Sequence, residues 1–272
     1  MKPPDARLPI GFTVELNKTV TVRDAGRSLV GGSPTRAIYL RPAAADPFIG
    51  RHLMVSDPGS AALADKLLDI GMADSVLASL PAADESDVTY LILTCGRPHA
   101  LDRMLRSIGP GKSVIVVDDA SPDPSAAERI TSDAGARFLA LPVNVGPAGA
   151  RNAGLRWVRT TYVVCVDNDM VVTDGAVAML LRHFTDPRVA LVAPRVVGLR
   201  VPTRVNWISR YEDARSSLDL GPTPATVRPR ARISWVSTAF VVARVDALGT
   251  GFTEGMRVGE DVDLVCTLVE QG

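Results

Sequence analysis

The chain has 272 residues, 46% of them hydrophobic, and its 30 basic residues are matched by 30 acidic ones. That length accommodates one large domain, or a medium and a small one, and supplies enough apolar residues for a sizeable core. The balanced charge creates no global field toward nucleic acid or an anionic membrane, so neither is an expected partner unless a local basic patch supplies one.

The N-terminal stretch Met1 to Pro9 lacks the apolar run of a secretory signal. Residues 8 to about 80 then read as a small α+β lobe. Phe12–Leu16, Val20–Arg23, Ser28–Val30 and Ala37–Leu40 are short β-favouring runs, punctuated by Asn17-Lys18, Asp24-Ala25-Gly26 and Gly31 to Pro34. A helical pattern follows over Ala61–Ile70, with Ser60 as its N-cap and Gly71 as its stop. Strands followed by a helix predict a winged-helix-like module, serving as a structural lobe or as a peptide- or partner-binding one. It contains no catalytic cluster. The polar run Ala82 to Asp87 is a linker, which divides the chain into residues 1–83 and 84–272.

From Val88 the rhythm changes. Apolar strands are predicted over Val88–Leu93, Ser113–Val117, Arg137–Leu141, Tyr162–Val166 and Val189–Ala193. Helices are predicted between them, over Leu101–Ile108, Ser125–Ala134, Ala148–Val158 and Gly175–Phe184. Such alternation implies βαβ units and a largely parallel sheet, an α/β fold that binds ligands at the carboxyl ends of its strands. Ile233–Ala243, the longest uncharged apolar stretch near the end, is too short to span a bilayer. Cys95, Cys165 and Cys266 are widely spaced and odd in number, which reads as small core residues in a reducing compartment, the cytosol by default.

Chemistry concentrates at the predicted strand ends. Val117 runs into Asp118-Asp119, and Val166 into Asp167-Asn168-Asp169. Acids at i and i+2 of a strand share a face, and two converging carboxylates suit a hard divalent cation with the phosphates it carries. An isolated Asp-x-Asp is equally a capped turn. Asn144 to Gly154 is a Gly-rich run opening a helix, where glycines admit a ligand and the helix N-terminus favours anions. Arg151 lies about one turn in; standing alone it would be a solvated helix arginine. Neither a dinucleotide fingerprint nor a P-loop is present. The last element is Gly259-Glu260-Asp261-Val262-Asp263. Acids there are helix caps or, over a phosphate site, a general base.

In this order, the four elements resemble a family-2 glycosyltransferase of the GT-A (Rossmann-like) fold, from about Val88 to the end. The resemblance implies that Asp119 contacts the nucleoside and that Arg151 lies near the base. It implies Asp167 toward the ribose, Asp169 on a Mn²⁺ or Mg²⁺ ion, and Glu260-Asp261 as the catalytic pair with Asp261 the inverting base. Leu29 to Pro34, Tyr211-Glu212, Leu218 to Gly221 and Arg257 to Leu264 further resemble the glycosyltransferase family of mycofactocin systems. That family implies UDP-glucose as donor and a modified-peptide redox cofactor as acceptor. Leu218-Asp219-Leu220-Gly221 belongs to the acceptor region or to a turn. Three departures stand out: the chain stops one helix after Asp261, Thr253 replaces an Asp usual in relatives, and Cys95-Gly96 is unusual after the first strand. A C-terminally incomplete acceptor site is the corresponding expectation.

Three competing readings remain. A sugar-phosphate nucleotidyltransferase would require a longer Gly-rich loop than Thr94–Pro98. The others are a nucleotide-sugar or peptide binder without turnover, and a scaffold acting through the lobe alone.

Overall fold

The computed structural model describes residues 7–42, 48–199, 207, 210–211, 215–256 and 258–271. Among the described residues the lobe carries seven short strands: Thr13–Leu16 (β1), Thr21–Arg23 (β2), Ser28–Gly31 (β3), Arg36–Tyr39 (β4), Phe48–Ile49 (β5), His52–Met54 (β6) and Ala73–Ser75 (β7). They form two antiparallel sheets, in the orders β5-β6-β1-β7 and β2-β3-β4. One 12-residue helix, Pro58–Asp69 (α1), covers the first sheet. The lobe is therefore strand-rich, and its likeness to a winged helix goes no further than a helix on a sheet among the described residues. β5, β6 and β7 escaped the sequence reading because two or three residues are too few to show an alternation.

The helix starts earlier than its apolar pattern. The Asp57 carboxylate accepts the N–H groups of Gly59 and Ser60 at 2.8 Å each, while the Ser60 hydroxyl accepts the Asp57 N–H at 3.0 Å. Asp57 is thus the N-cap, and Ser60 the third residue of a reciprocal capping box. Phe12, Val14, Leu53, Ala64, Leu67 and Met72 belong to a core built from residues 8–80.

The second part is a three-layer α/β/α sandwich. Its strands are Val88–Thr94 (β8), Ser113–Asp118 (β9), Arg137–Ala140 (β10), Tyr162–Asp167 (β11), Leu191–Val192 (β12) and Phe240–Arg244 (β13). Helices Pro98–Ile108 (α2), Ser125–Asp133 (α3) and Ala176–Leu181 (α5) supply one apolar layer. Gly146–Leu155 (α4) and Glu260–Gln271 (α6) supply the other. Side chains alternate between the two: Val88, Tyr90 and Ile92 face the first layer, and Leu91 faces the second. The period of two that defines a strand thereby fills both cores.

The strand order is β10-β9-β8-β11-β13-β12. β10, β9, β8 and β11 are mutually parallel, whereas β13 runs antiparallel to both β11 and β12. The sheet is accordingly mixed. β13 covers the end of the apolar run that the sequence marked only as too short for a membrane, plus Arg244; four of its five residues are buried, so it shows no polar alternation. The connection from β12 to β13 leaves and rejoins the sheet at one edge, where the parallel strands end. Among the described residues no helix is long and apolar enough to cross a membrane.

The lobe docks through α1. Arg188 forms an ion pair with Asp65 at 2.8 Å, and Arg228 and Thr226 donate to the Leu68 carbonyl at 3.0 and 3.3 Å. Nearby, Asp74 on β7 stands opposite Glu15 on β1. Burial, helped by Glu15 and opposed by Arg232, raises its carboxyl from 3.8 to about 6. An acid whose pKa is higher folded than unfolded weakens the fold as pH rises through that window. Asp74→Asn is therefore expected to stabilise the chain above about pH 6, by on the order of 1–2 kcal/mol after discounting for partial exposure. The gain should vanish below about pH 4; a Tm difference independent of pH would refute the assignment.

Candidate active site

The chain lays down β8, β9 and β10 in one direction, then returns to place β11 on the other side of β8. Strand order reverses there, and such a reversal leaves a crevice at the carboxyl ends of the strands. Leu93 pairs with Asp167 and Thr94 with Asp118, so the three strand ends are level. Each sequence-predicted acid on these strands lies at this edge.

Asp118 and Asp119 divide the work of holding the loops. Asp118 is buried, and its carboxylate accepts both the N–H and the hydroxyl of Ser121. The Ser121 oxygen in turn accepts the Gly96 N–H at 2.7 Å, which fixes the loop after β8. Ala120 between them adopts φ +56°, a left-handed conformation costly for a residue with a Cβ. Asp119 accepts the N–H groups of Val145 and Gly146 at 2.8 and 3.0 Å. The anion at the N-terminus of α4 is therefore the chain's own carboxylate.

The glycines of the Asn144–Gly154 run also do something other than admit a ligand. A Cβ on Gly154 would stand 2.2 Å from Leu91 Cδ1 and 2.9 Å from Val117 Cγ2. Its absence lets α4 lie directly on β8 and β9. Arg151 projects from α4 into the interior, only 2% exposed. Its Nη2 donates to Asp167 Oδ1 at 3.0 Å and its Nη1 to Glu260 Oε1 at 3.1 Å. The guanidinium also lies 5.3 Å from the centre of the Phe252 ring. The structure thus places Arg151 between two acids, beneath the crevice.

β11 ends at Asp167, so the strand alternation stops there and Asn168-Asp169 form a turn. The two acids have different partners: Asp167 is held by Arg151, whereas Asp169 Oδ2 accepts from Arg97 Nη1 at 3.2 Å. Burial raises the Asp167 carboxyl, Arg151 counteracts this, and Asp169 and Glu260 add to the rise. Asn168, which the sequence offered only as a spacer, is buried and donates to Thr94 Oγ1 at 2.8 Å. That bond locks the turn to the end of β8.

Among the described residues no group of three or more His, Cys, Asp or Glu side chains could hold a metal ion. A hard cation that shares its shell with substrate phosphates needs only one or two protein carboxylates. Asp169 fits that requirement: its side chain is 46% exposed, and its pairing with Arg97 is a surface ion pair worth at most about 1 kcal/mol.

α6 presents three acids in its first turn. Glu260 is bound to Arg151, and Asp263 Oδ2 accepts the Thr253 hydroxyl at 2.6 Å. Among the described residues Asp261 accepts the N–H of Val262, at 2.8 Å, and no described cation pairs with it. Of the three, it is the one without a described side-chain partner. Thr253 thus has a partner of its own in place of the expected acid. Cys165 is buried as expected, but Cys95 is exposed, because β8 ends one residue before it. Glu212 and Arg257, which helped carry the resemblance, lie outside the described residues.

Residues 90–237, more than half of the chain, match the profile of Glycosyl transferase family 2. The chain is 41% identical over 269 residues to the Pre-mycofactocin glycosyltransferase of Mycobacterium tuberculosis, covering 98% of this chain and 56% of that protein. It is 25% identical over 205 residues to the Succinoglycan biosynthesis protein ExoO of Rhizobium meliloti, covering 71% of this chain and 58% of that one. It therefore spans about half the length of the curated relatives it matches. The solved structure of S. aureus TarS 1-349 shares the fold, with a TM-score of 0.50 at 18% identity over 67% of this chain and 55% of that one. By sequence match and by the architecture of its larger part, a GT-A sheet domain, this chain belongs to the family-2 glycosyltransferases.

Proposed function

We propose that the chain binds a nucleoside-diphosphate sugar at the crevice between β8 and β11 and transfers the sugar, with inversion, to a hydroxyl acceptor. The donor in this reading is UDP-glucose, and the acceptor is a peptide-derived redox cofactor precursor. The observation that carries it is the 41% identity, over 98% of this chain, to a protein named Pre-mycofactocin glycosyltransferase. The geometry is compatible with that chemistry. Asp119 spends one interaction per oxygen on backbone N–H groups, leaving lone pairs for the nucleoside. Asp167 faces the ribose, and Asp169 holds Mn²⁺ or Mg²⁺. When bound, the ion offsets the charge that develops on the diphosphate leaving group. Asp261 takes the proton of the acceptor hydroxyl as its oxygen attacks the anomeric carbon from the face opposite the leaving group. The lobe, residues 1–83, is assigned to the peptide part of the acceptor, and the cytosol to the reaction.

A thermal-shift panel of UDP, GDP, ADP and CDP, each with Mn²⁺ or with chelator, tests the donor site. Ligand that binds only the folded chain must raise its apparent stability. A shift with UDP that requires Mn²⁺ is expected. No shift with any nucleotide would defeat the reading. A UDP shift without sugar transfer would reduce the chain to a binding protein.

A further inference from the structure

The Arg151-Asn152 pair has a role that the donor-site reading does not use. Arg151 is only 2% exposed. Both of its terminal nitrogens are engaged, Nη2 reaches the Thr238 carbonyl as well at 3.4 Å, and Nε is buried without a partner among the described residues. Asn152, one residue on, grips the segment that leads into α6. Its Nδ2 donates to the Phe252 carbonyl at 2.8 Å and to Glu254 Oε1 at 3.1 Å, and its Oδ1 accepts the Phe252 N–H at 2.8 Å. Gly251, at φ +86°, is shaped for this contact: a Cβ there would lie 2.3 Å from Asn152 Oδ1.

The segment needs such a grip. Among the described residues of α6 only Leu264 and Val265 are buried, and both lie beyond the first turn. Apolar packing therefore anchors the middle of the helix and leaves its N-terminal turn, which bears Asp261, to polar contacts. Among the described residues those contacts include Arg151 to Glu260, Asn152 to Phe252 and Glu254, and Thr253 to Asp263, with an exposed ion pair from Arg156 to Glu254 at 3.8 Å. Arg151 and Asn152 both lie on α4. Through Asp167 the same arginine also reaches the donor side.

We propose that Arg151 and Asn152 are positioning residues: together they clamp Phe252, Glu254 and Glu260 onto α4 and so set where Asp261 stands relative to the donor acid Asp167. The proposal rests on Asp261 being the base, as above. It makes Glu260 the clamp's counter-charge, with its carboxylate already committed to the guanidinium.

Asn152→Ala in the full 272-residue chain is the test. Hydrogen exchange of the amides from 251 to 264 is expected to accelerate about tenfold, as local opening becomes easier. The Kd for UDP with Mn²⁺ should stay within about twofold, while kcat for sugar transfer falls about tenfold at unchanged donor KM. Gly251→Ala breaks the same contact from the other side and should reproduce the pattern, which guards against a variant that fails to fold. Arg151→Lys, which keeps the charge but not the fork, should lose less kcat than Arg151→Met. Unaltered exchange over 251–264 in Asn152→Ala and Gly251→Ala would overturn the clamp. So would loss of UDP affinity with kcat preserved, the pattern of a base-contacting residue. The exchange measurement needs neither donor nor acceptor, so it decides the clamp even if the wild-type chain transfers no sugar.

Discussion

Asp261→Asn is expected to lower kcat for transfer by about 10²–10⁴-fold, the range contributed by a positioned general base, with UDP affinity unchanged. The structure separates the two effects. Glu260 and Asp263 are tied to Arg151 and Thr253, whereas among the described residues Asp261 holds just the adjacent N–H of Val262. Asparagine preserves that acceptor and the volume of the side chain, so the first turn of α6 should keep its shape while losing its proton acceptor. The donor acids lie on other elements and are untouched. Steady-state kinetics paired with UDP titration checks this; normal turnover would eliminate Asp261 as the base.

The second large effect is expected at the end of β11. Asp169→Asn should remove the Mn²⁺-dependent part of UDP binding, weakening it about 10- to 100-fold. That corresponds to losing one charge-assisted contact of roughly 1.5–3 kcal/mol. Stability should barely change, since the ion pair lost with Arg97 is exposed. Calorimetric titration of UDP with Mn²⁺ and with chelator is the appropriate measurement. Equal affinities for variant and wild type with Mn²⁺ present would take Asp169 out of the metal role.

The sequence disclosed the strands best where burial is heaviest. β8, β9 and β11 are nearly continuous apolar runs that end in polar turns, and the placing of Asp118, Asp119 and Asp167 at one edge of the sheet was legible from them. β13 has the same composition, but the sequence reading set no helix before it, and its reversed direction is a tertiary outcome. In the lobe, β6 and β7 contribute three residues each, and their pairing with β1 is visible only once the chain has folded back.

The side-chain roles were harder to read. An arginine one turn into a helix is normally solvated. Arg151 is buried because Glu260, 109 residues later, and Asp167 both converge on it. Nothing local announces such a meeting. Asn152 and Asn168 were missed for the same reason, although each carries a faint signal: an amide among apolar or charged neighbours, in a place where a loop must be held still.

The direction of β13 has a consequence for how this architecture can vary. Because β13 enters the sheet against β11, with the Ala239 carbonyl accepting the Asp167 N–H at 3.0 Å, the excursion from β12 begins and ends at one rim of the sheet, beside the crevice. Closing a longer loop between two such fixed ends adds only about 0.6 kcal/mol per doubling of length. Relatives can therefore lengthen, shorten or exchange this stretch, and with it whatever it touches, without altering a single strand register.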